Sequence, residues 1–194
     1  FCAYPFSMHN NYMKDYSNHI AVIGAGISGL TLGVILKSHN IPCIIFEKYD
    51  SVSEYGAGIS ISPNGLEVLK TLNIYNDLLK ISAKPSSSIF YSNLKKIIEV
   101  PNEVITTSRK SLYKVLYEKY LSFDGKILFD HDLVNIDFSK NSLYFSNKKN
   151  YKFKHVAACD GIKSSCRNLS SGEIREPVYS LSLIHISEPT RLAE

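Results

Sequence analysis

Apolar residues along this chain fall into two patterns: short unbroken runs, and positions spaced three or four apart. The run Ile20-Ala21-Val22-Ile23 predicts a strand buried on both faces of a parallel sheet. Leu30, Leu32, Val34, Ile35 and Leu36 follow as an apolar helix that Asn40 and Pro42 end. A second unbroken run, Cys43 to Phe46, predicts a second parallel strand. Ile59 to Ser62 reads as a short strand. Ser62-Pro63 then starts a helix, with Ser as cap and Pro in the first helical position. Leu66, Val68, Leu69 and Leu72 are its apolar face, and a shorter helix is expected at Asn76 to Ile81.

Beyond Ser86 the pattern shifts toward strands. Ile89-Phe90-Tyr91 and Ile97-Ile98 flank a turn near Asn93, which predicts an antiparallel hairpin. Thr106-Thr107-Ser108-Arg109 leads into a helix buried through Leu112, Val115, Leu116 and Tyr120, and Asp124-Gly125 is a turn. Lys126 to Phe129 is expected to rejoin the parallel sheet. Val134 to Phe138, Leu143 to Phe145 and Tyr151 to Phe153 alternate as a small antiparallel meander, and Val156 to Cys159 is a last apolar strand. The expected fold class is α/β: a Rossmann-like dinucleotide domain with a parallel sheet and helices, plus an antiparallel β-meander and a hairpin layer. A simple NAD domain continues with further helix–strand units, so the interruption argues against one.

Between the first strand and its helix stands Gly24-Ala25-Gly26-Ile27-Ser28-Gly29, with G-x-G-x-x-G spacing. Gly24 permits the tight turn, Gly26 leaves room for a pyrophosphate against bare backbone, and Gly29 lets the helix pack close to the strand. Free N–H groups and the dipole at the helix start favour phosphate charge. Glu47 ends the second strand, 18 residues after Gly29. There a carboxylate accepts hydrogen bonds from an adenosine ribose and repels a 2′-phosphate. Strand, helix, second strand and acid in this order indicate an adenine dinucleotide and leave NAD and FAD both open.

The chain has 194 residues, is 44% hydrophobic and 21% charged, and carries a formal charge of +4. Its lysines are dispersed, which fits a solvated surface and argues against nucleic-acid binding. There is no apolar run long enough to span a membrane. Cys2, Cys43, Cys159 and Cys166 match no zinc or redox spacing. Cys43 and Cys159 are expected to be buried small residues in a reducing cytoplasm. His131 and His155 are read as structural. No metal set and no catalytic residue is identified. Residues 1–18 are expected to be a leader or disordered arm, with Met13 as a candidate start. Leu181 to Arg191 resembles translated sequencing-adapter read-through, so residues 181–194 are read as an artefactual tail.

Four stretches together carry a family resemblance. They are the glycine turn with Glu47; GAGISISPNGLEVLKTLNI from Gly56 to Ile74; Ser108-Arg109 with Leu112 and Leu116; and Asp160-Gly161-Ile162-Lys163-Ser164-Ser165-Cys166-Arg167, which has the D-G-x-x-S-x-x-R form. From Ile20 to Arg167 the chain resembles the N-terminal part of the group-A FAD-dependent monooxygenases, the flavin-dependent aromatic hydroxylases. The resemblance implies FAD bound by Gly24, Ala25, Gly26, Ile27, Ser28, Gly29, Glu47, Lys48, Gly58, Arg109, Leu133, Asp160 and Gly161. Arg109 would reach the FAD phosphates, Leu133 the adenine, and Asp160 the pyrophosphate. The resemblance also implies NAD(P)H as co-substrate, with O₂ and a small organic, aromatic substrate for hydroxylation or epoxidation. It makes residues 19–180 an FAD-binding domain that includes the start of a substrate-domain sheet at about 86–105. The family's downstream G-D motif does not occur here, so the chain alone is expected not to turn over substrate. Another FAD-dependent oxidoreductase of the superfamily, such as a reductase or halogenase, and a non-catalytic nucleotide-binding fragment remain alternatives.

Overall fold

The computed structural model describes residues 13–51, 58–101 and 103–174. Strand β1 (Lys14–Ile23) feeds helix α1 (Ile27–Ser38), and β2 (Cys43–Phe46) returns parallel to β1 with Ile20 opposite Cys43 and Ile23 opposite Phe46. Next come β3 (Gly58–Ile61), α2 (Pro63–Thr71) and α3 (Tyr75–Leu79). Ser62 is the N-cap of α2, yet its side chain makes no capping bond; Pro63 alone sets that helix start. A hairpin, β4 (Ser87–Ser92) and β5 (Lys95–Pro101), turns through Asn93 and Leu94, both at positive φ. Then follow β6 (Ile105–Ser108), α4 (Arg109–Ser122), β7 (Lys126–Leu128), β8 (Leu133–Asp137), β9 (Ser142–Phe145), β10 (Asn150–Ala158) and α5 (Ser165–Ser171).

Six strands form the main sheet, in the order β7-β2-β1-β10-β9-β8. The pairs β7–β2, β2–β1 and β1–β10 are parallel, and the meander β10–β9–β8 is antiparallel. Because side chains alternate across a strand, β1 sends Val22 to one face and Ala21 and Ile23 to the other. Val22 joins Val34 of α1, Ile45, and Leu116 and Tyr120 of α4 in one core; Ala21 and Ile23 join Ile44, Phe46, Leu133, Phe145, Tyr151 and Phe153 in a second. The unbroken apolar runs are therefore strands covered on both sides.

Three expectations need correction. β1 begins at Lys14, so residues 14–18 belong to the sheet and are no disordered arm: Lys14 pairs with Tyr151 and Tyr16 with Phe153. Their polar sequence hid this, because only Tyr16 turns inward, stacking on Phe153 at 5.8 Å. The two segments around Tyr151 and Val156 are one strand, β10. Its first half closes the meander and its whole length follows β1. Thr106 to Ser108, read as the approach to a helix, belongs to β6, a strand paired antiparallel with β3. Gly56, residues 1–12 and the tail at 181–194 lie outside the described residues.

Candidate functional site

The parallel strands β1, β2, β7 and β10 all end at one edge of the sheet, at Ile23, Phe46, Leu128 and Ala158. Ligands of open α/β sheets bind beyond such carboxyl ends. A cavity of about 350 Å³ lies there.

Its floor is the glycine turn. Gly24 takes φ +103 and donates its N–H to the Phe46 carbonyl at 2.7 Å. A Cβ on Gly24 would stand 2.5 Å from the Cys159 carbonyl oxygen, and one on Gly29 would stand 1.9 Å from the Gly24 carbonyl oxygen. Turn, helix and β10 thus interlock only around hydrogen atoms. Gly26 is different: a Cβ there would meet nothing within 4 Å. It is the N-cap of α1, with no side-chain cap and no acidic residue in the first turn. The positive end of a twelve-residue helix thus has neither a side-chain cap nor an acid in its own first turn, beside a bare Cα that lines the cavity.

Glu47 stands at the cavity wall, fixed from four directions. Its carboxylate accepts N–H bonds from Ala25 at 2.8 Å and Tyr49 at 3.1 Å. Its own N–H donates to Leu128, and its carbonyl accepts from the His131 N–H at 2.8 Å. Asp160 enters from the end of β10. Its carboxylate accepts from the Ser164 hydroxyl at 2.6 Å and the Cys166 N–H at 2.9 Å, so it caps α5. Arg167 bends back to the Ile162 carbonyl at 3.0 Å. The D-G-x-x-S-x-x-R residues thus build a rigid loop, in which Gly161 takes φ +77. α5 itself was not predicted.

Of the expected site residues, Gly24, Gly26, Glu47, Lys48, Leu133, Asp160 and Gly161 line the cavity. Ala25, Ile27, Ser28 and Gly29 sit in the turn and first turn of α1 behind it, and Ala25 anchors Glu47. Gly58 and Arg109 do not line the cavity. Pairing of Gly58 with Ser108 puts them side by side at the end of the β3–β6 ribbon, where Arg109 is the exposed first residue of α4. The expectation that Arg109 converges on the same space as Asp160 is not met by this cavity.

Sequence reasoning missed Tyr49, Asp132, Ile162 and Lys163 in the lining. All follow the carboxyl end of a parallel strand, and that position was the signal that could have found them. Cys159, expected to be buried, is half-buried and lines the cavity. His131, read as structural, lines it too while lying buried among Phe46, Phe145 and Tyr151. Its Nδ1 is 2.5 Å from the Phe129 carbonyl, which can only accept, so Nδ1 carries the proton. Its Nε2 is 2.8 Å from the Tyr151 hydroxyl. Burial is the main influence on this imidazole and lowers its pKa, favouring the neutral ring.

These features fit an adenine dinucleotide. The bare Cα and uncapped helix start suit a diphosphate, and the immobilised carboxylate suits a ribose diol. The volume is near the lower end for small-molecule sites, enough for part of such a ligand. Among the described residues there is no His/Cys/Asp/Glu group that could hold a metal ion, and no helix long and apolar enough to cross a membrane.

The fold and site thus define a dinucleotide-binding α/β protein. The sequence profile of the FAD binding domain family matches residues 17–189, and the chain belongs to that family. The match runs past residue 180, where sequence reading ended the domain. Among curated relatives, 3-amino-4-hydroxybenzoate 2-monooxygenase of Streptomyces cremeus is 41% identical over 66 residues, covering 34% of this chain and 17% of that protein. The FAD-dependent monooxygenase ausM of Penicillium brasilianum is 28% identical over 162 residues, 77% of this chain and 34% of that protein. The fold matches the tetrameric form of 2-methyl-3-hydroxypyridine-5-carboxylic acid oxygenase with a TM-score of 0.75 at 23% identity, covering 80% of this chain and 42% of that one. The chain therefore spans less than half the length of each of these proteins.

Proposed function

We propose that this chain is the FAD-binding N-terminal part of a flavoprotein monooxygenase that uses NAD(P)H and O₂ to hydroxylate or epoxidise a small aromatic substrate. The observation that carries the FAD part is the cavity itself: an uncapped helix start and the bare Gly26 face a carboxylate, Glu47, that Ala25 and Tyr49 hold in place. The family match and the monooxygenase names of the relatives support the reaction class.

Bound FAD would supply the redox chemistry. The chain's own residues bind and orient it. The α1 amides take the diphosphate, Glu47 the ribose hydroxyls, and the Leu133 backbone the adenine. The Asp160–Gly161 loop, stiffened by Ser164 and Arg167, closes the diphosphate side. Gly58 and Arg109, outside the cavity, would serve the part of the cofactor that extends beyond it. The hairpin at Ser87 to Pro101 would begin the substrate-side sheet. Free Cys43, Cys159 and Cys166 suit the reducing cytoplasm.

The test is titration of the purified 194-residue chain with FAD, followed by quenching of flavin fluorescence, alongside NAD. Saturable FAD binding with no NAD(P)H consumption in the presence of O₂ and phenolic substrates is expected. Binding of NAD without FAD would overturn the reading.

A further inference from the structure

The cavity wall contains one buried titratable side chain that no step above uses. We propose that His131 is a positioning residue for the nucleotide site, setting cofactor affinity through the loop it holds rather than by touching the chemistry. This rests on the cavity being the flavin nucleotide site.

The geometry gives His131 three ties. Its Nδ1–H bonds the Phe129 carbonyl two residues back, and so fixes the loop leaving β7. Its Nε2 accepts from the Tyr151 hydroxyl of β10. Its backbone N–H holds the carbonyl of Glu47, the residue expected to grip the ribose. Asp132 and Leu133, the next two residues, form the adjoining wall of the cavity. His131 therefore joins the two walls, its ring tying the loop after β7 to Tyr151 of β10 and its backbone N–H tying that loop to Glu47.

The tie to Tyr151 needs an unprotonated Nε2. A protonated ring has two donors and no acceptor, so Tyr151 would have to turn its hydroxyl proton away. It would also place a charge against the rings of Phe46, Phe145 and Tyr151, at centroid distances of 5.4, 5.1 and 5.6 Å. The charged groups around it are mixed. Lys14 of β1 and Lys149 of the β9–β10 turn oppose protonation, and Asp130 of its own loop favours it. Asp132 and Glu47 flank it along the cavity wall. Burial outweighs these and lowers the pKa. The contribution of the neutral ring is therefore complete above about pH 6.5, the ordinary value, and is lost as pH falls through the lower folded value.

The test measures the FAD dissociation constant of the 194-residue chain from pH 7.5 to 5.0, at a temperature below its melting point throughout. FAD is the right probe because its diphosphate does not titrate across that range. The wild type is expected to bind about tenfold more weakly at the acid end, the scale of losing one ordinary hydrogen bond's net contribution. In His131→Asn the amide still donates to Phe129 but cannot titrate. It is expected to bind more weakly than wild type at pH 7.5 and to show a flat profile. Tyr151→Phe is expected to weaken binding and move the acid loss to higher pH. Parallel pH profiles in wild type and both variants would overturn the positioning role while leaving the flavin site intact. Absence of FAD binding by the wild type at pH 7.5 would instead overturn the site reading itself.

Discussion

The six-stranded sheet and the β4–β5 hairpin use the same kind of apolar residue to opposite effect. In the sheet, Ile44, Ile45 and Phe46 are at most 2% exposed. In the hairpin, Phe90 is 56%, Ile98 52% and Ile97 66% exposed, although Phe90 and Ile98 are direct cross-strand partners. β2 has a neighbour on each edge and a layer on each face. In the hairpin each strand has one partner and, among the described residues, its apolar side chains stay exposed; two strands alone are at best marginally stable. Its turn also places Leu94, 98% exposed, in a conformation that suits glycine. The contrast teaches that the same apolar pattern is buried only where neighbouring strands and helices cover it on both sides. In the reading proposed above, the substrate-side domain would cover the hairpin.

The sharpest way to break this comparison is Phe46→Ala. Phe46 stacks on Phe145 at 4.7 Å and meets His131, Tyr151 and Phe153 edge-on. Its loss is expected to cost about 3–5 kcal/mol in denaturant unfolding. Glu47→Gln should leave the fold intact and weaken FAD binding by about 1.5–3 kcal/mol, the range for hydrogen bonds to a charged group, as read by flavin titration. An unchanged FAD affinity would remove Glu47 from the site. Phe90→Ser should change stability by less than about 0.5 kcal/mol, the range for surface substitutions, while lowering aggregation in light scattering. A large loss of stability there would mean that the hairpin is as well supported as the sheet.

The same contrast explains what could be read beforehand. The glycine turn, β2 and Glu47 were legible because buried parallel strands leave unbroken apolar runs and the turn needs residues without a Cβ. The hairpin was legible from the apolar triplet Ile89-Phe90-Tyr91, the pair Ile97-Ile98 and Asn93. Lys14 to Asn18 was not, since a strand covered on one side through a single tyrosine reads as polar coil. Nor was β6, whose Thr106-Thr107 pair looks like a helix approach. In the site, Gly24, Gly26, Glu47 and Asp160 carry motif spacing. His131 and Asp132 have none, and Lys163 fills an unspecified position of its motif; only the topology brings their loops together.

Because β10 lies beside β1, the turn at Gly24 rests on a carbonyl contributed by Cys159, from the far end of the described chain. During synthesis the first strand, helix and second strand leave the ribosome long before that carbonyl does. Such distant pairing closes slowly. The nascent segment would carry a phosphate-binding signature without the support that gives it shape, and the nucleotide could act as a late clamp, favouring the chain only after Cys159 has docked.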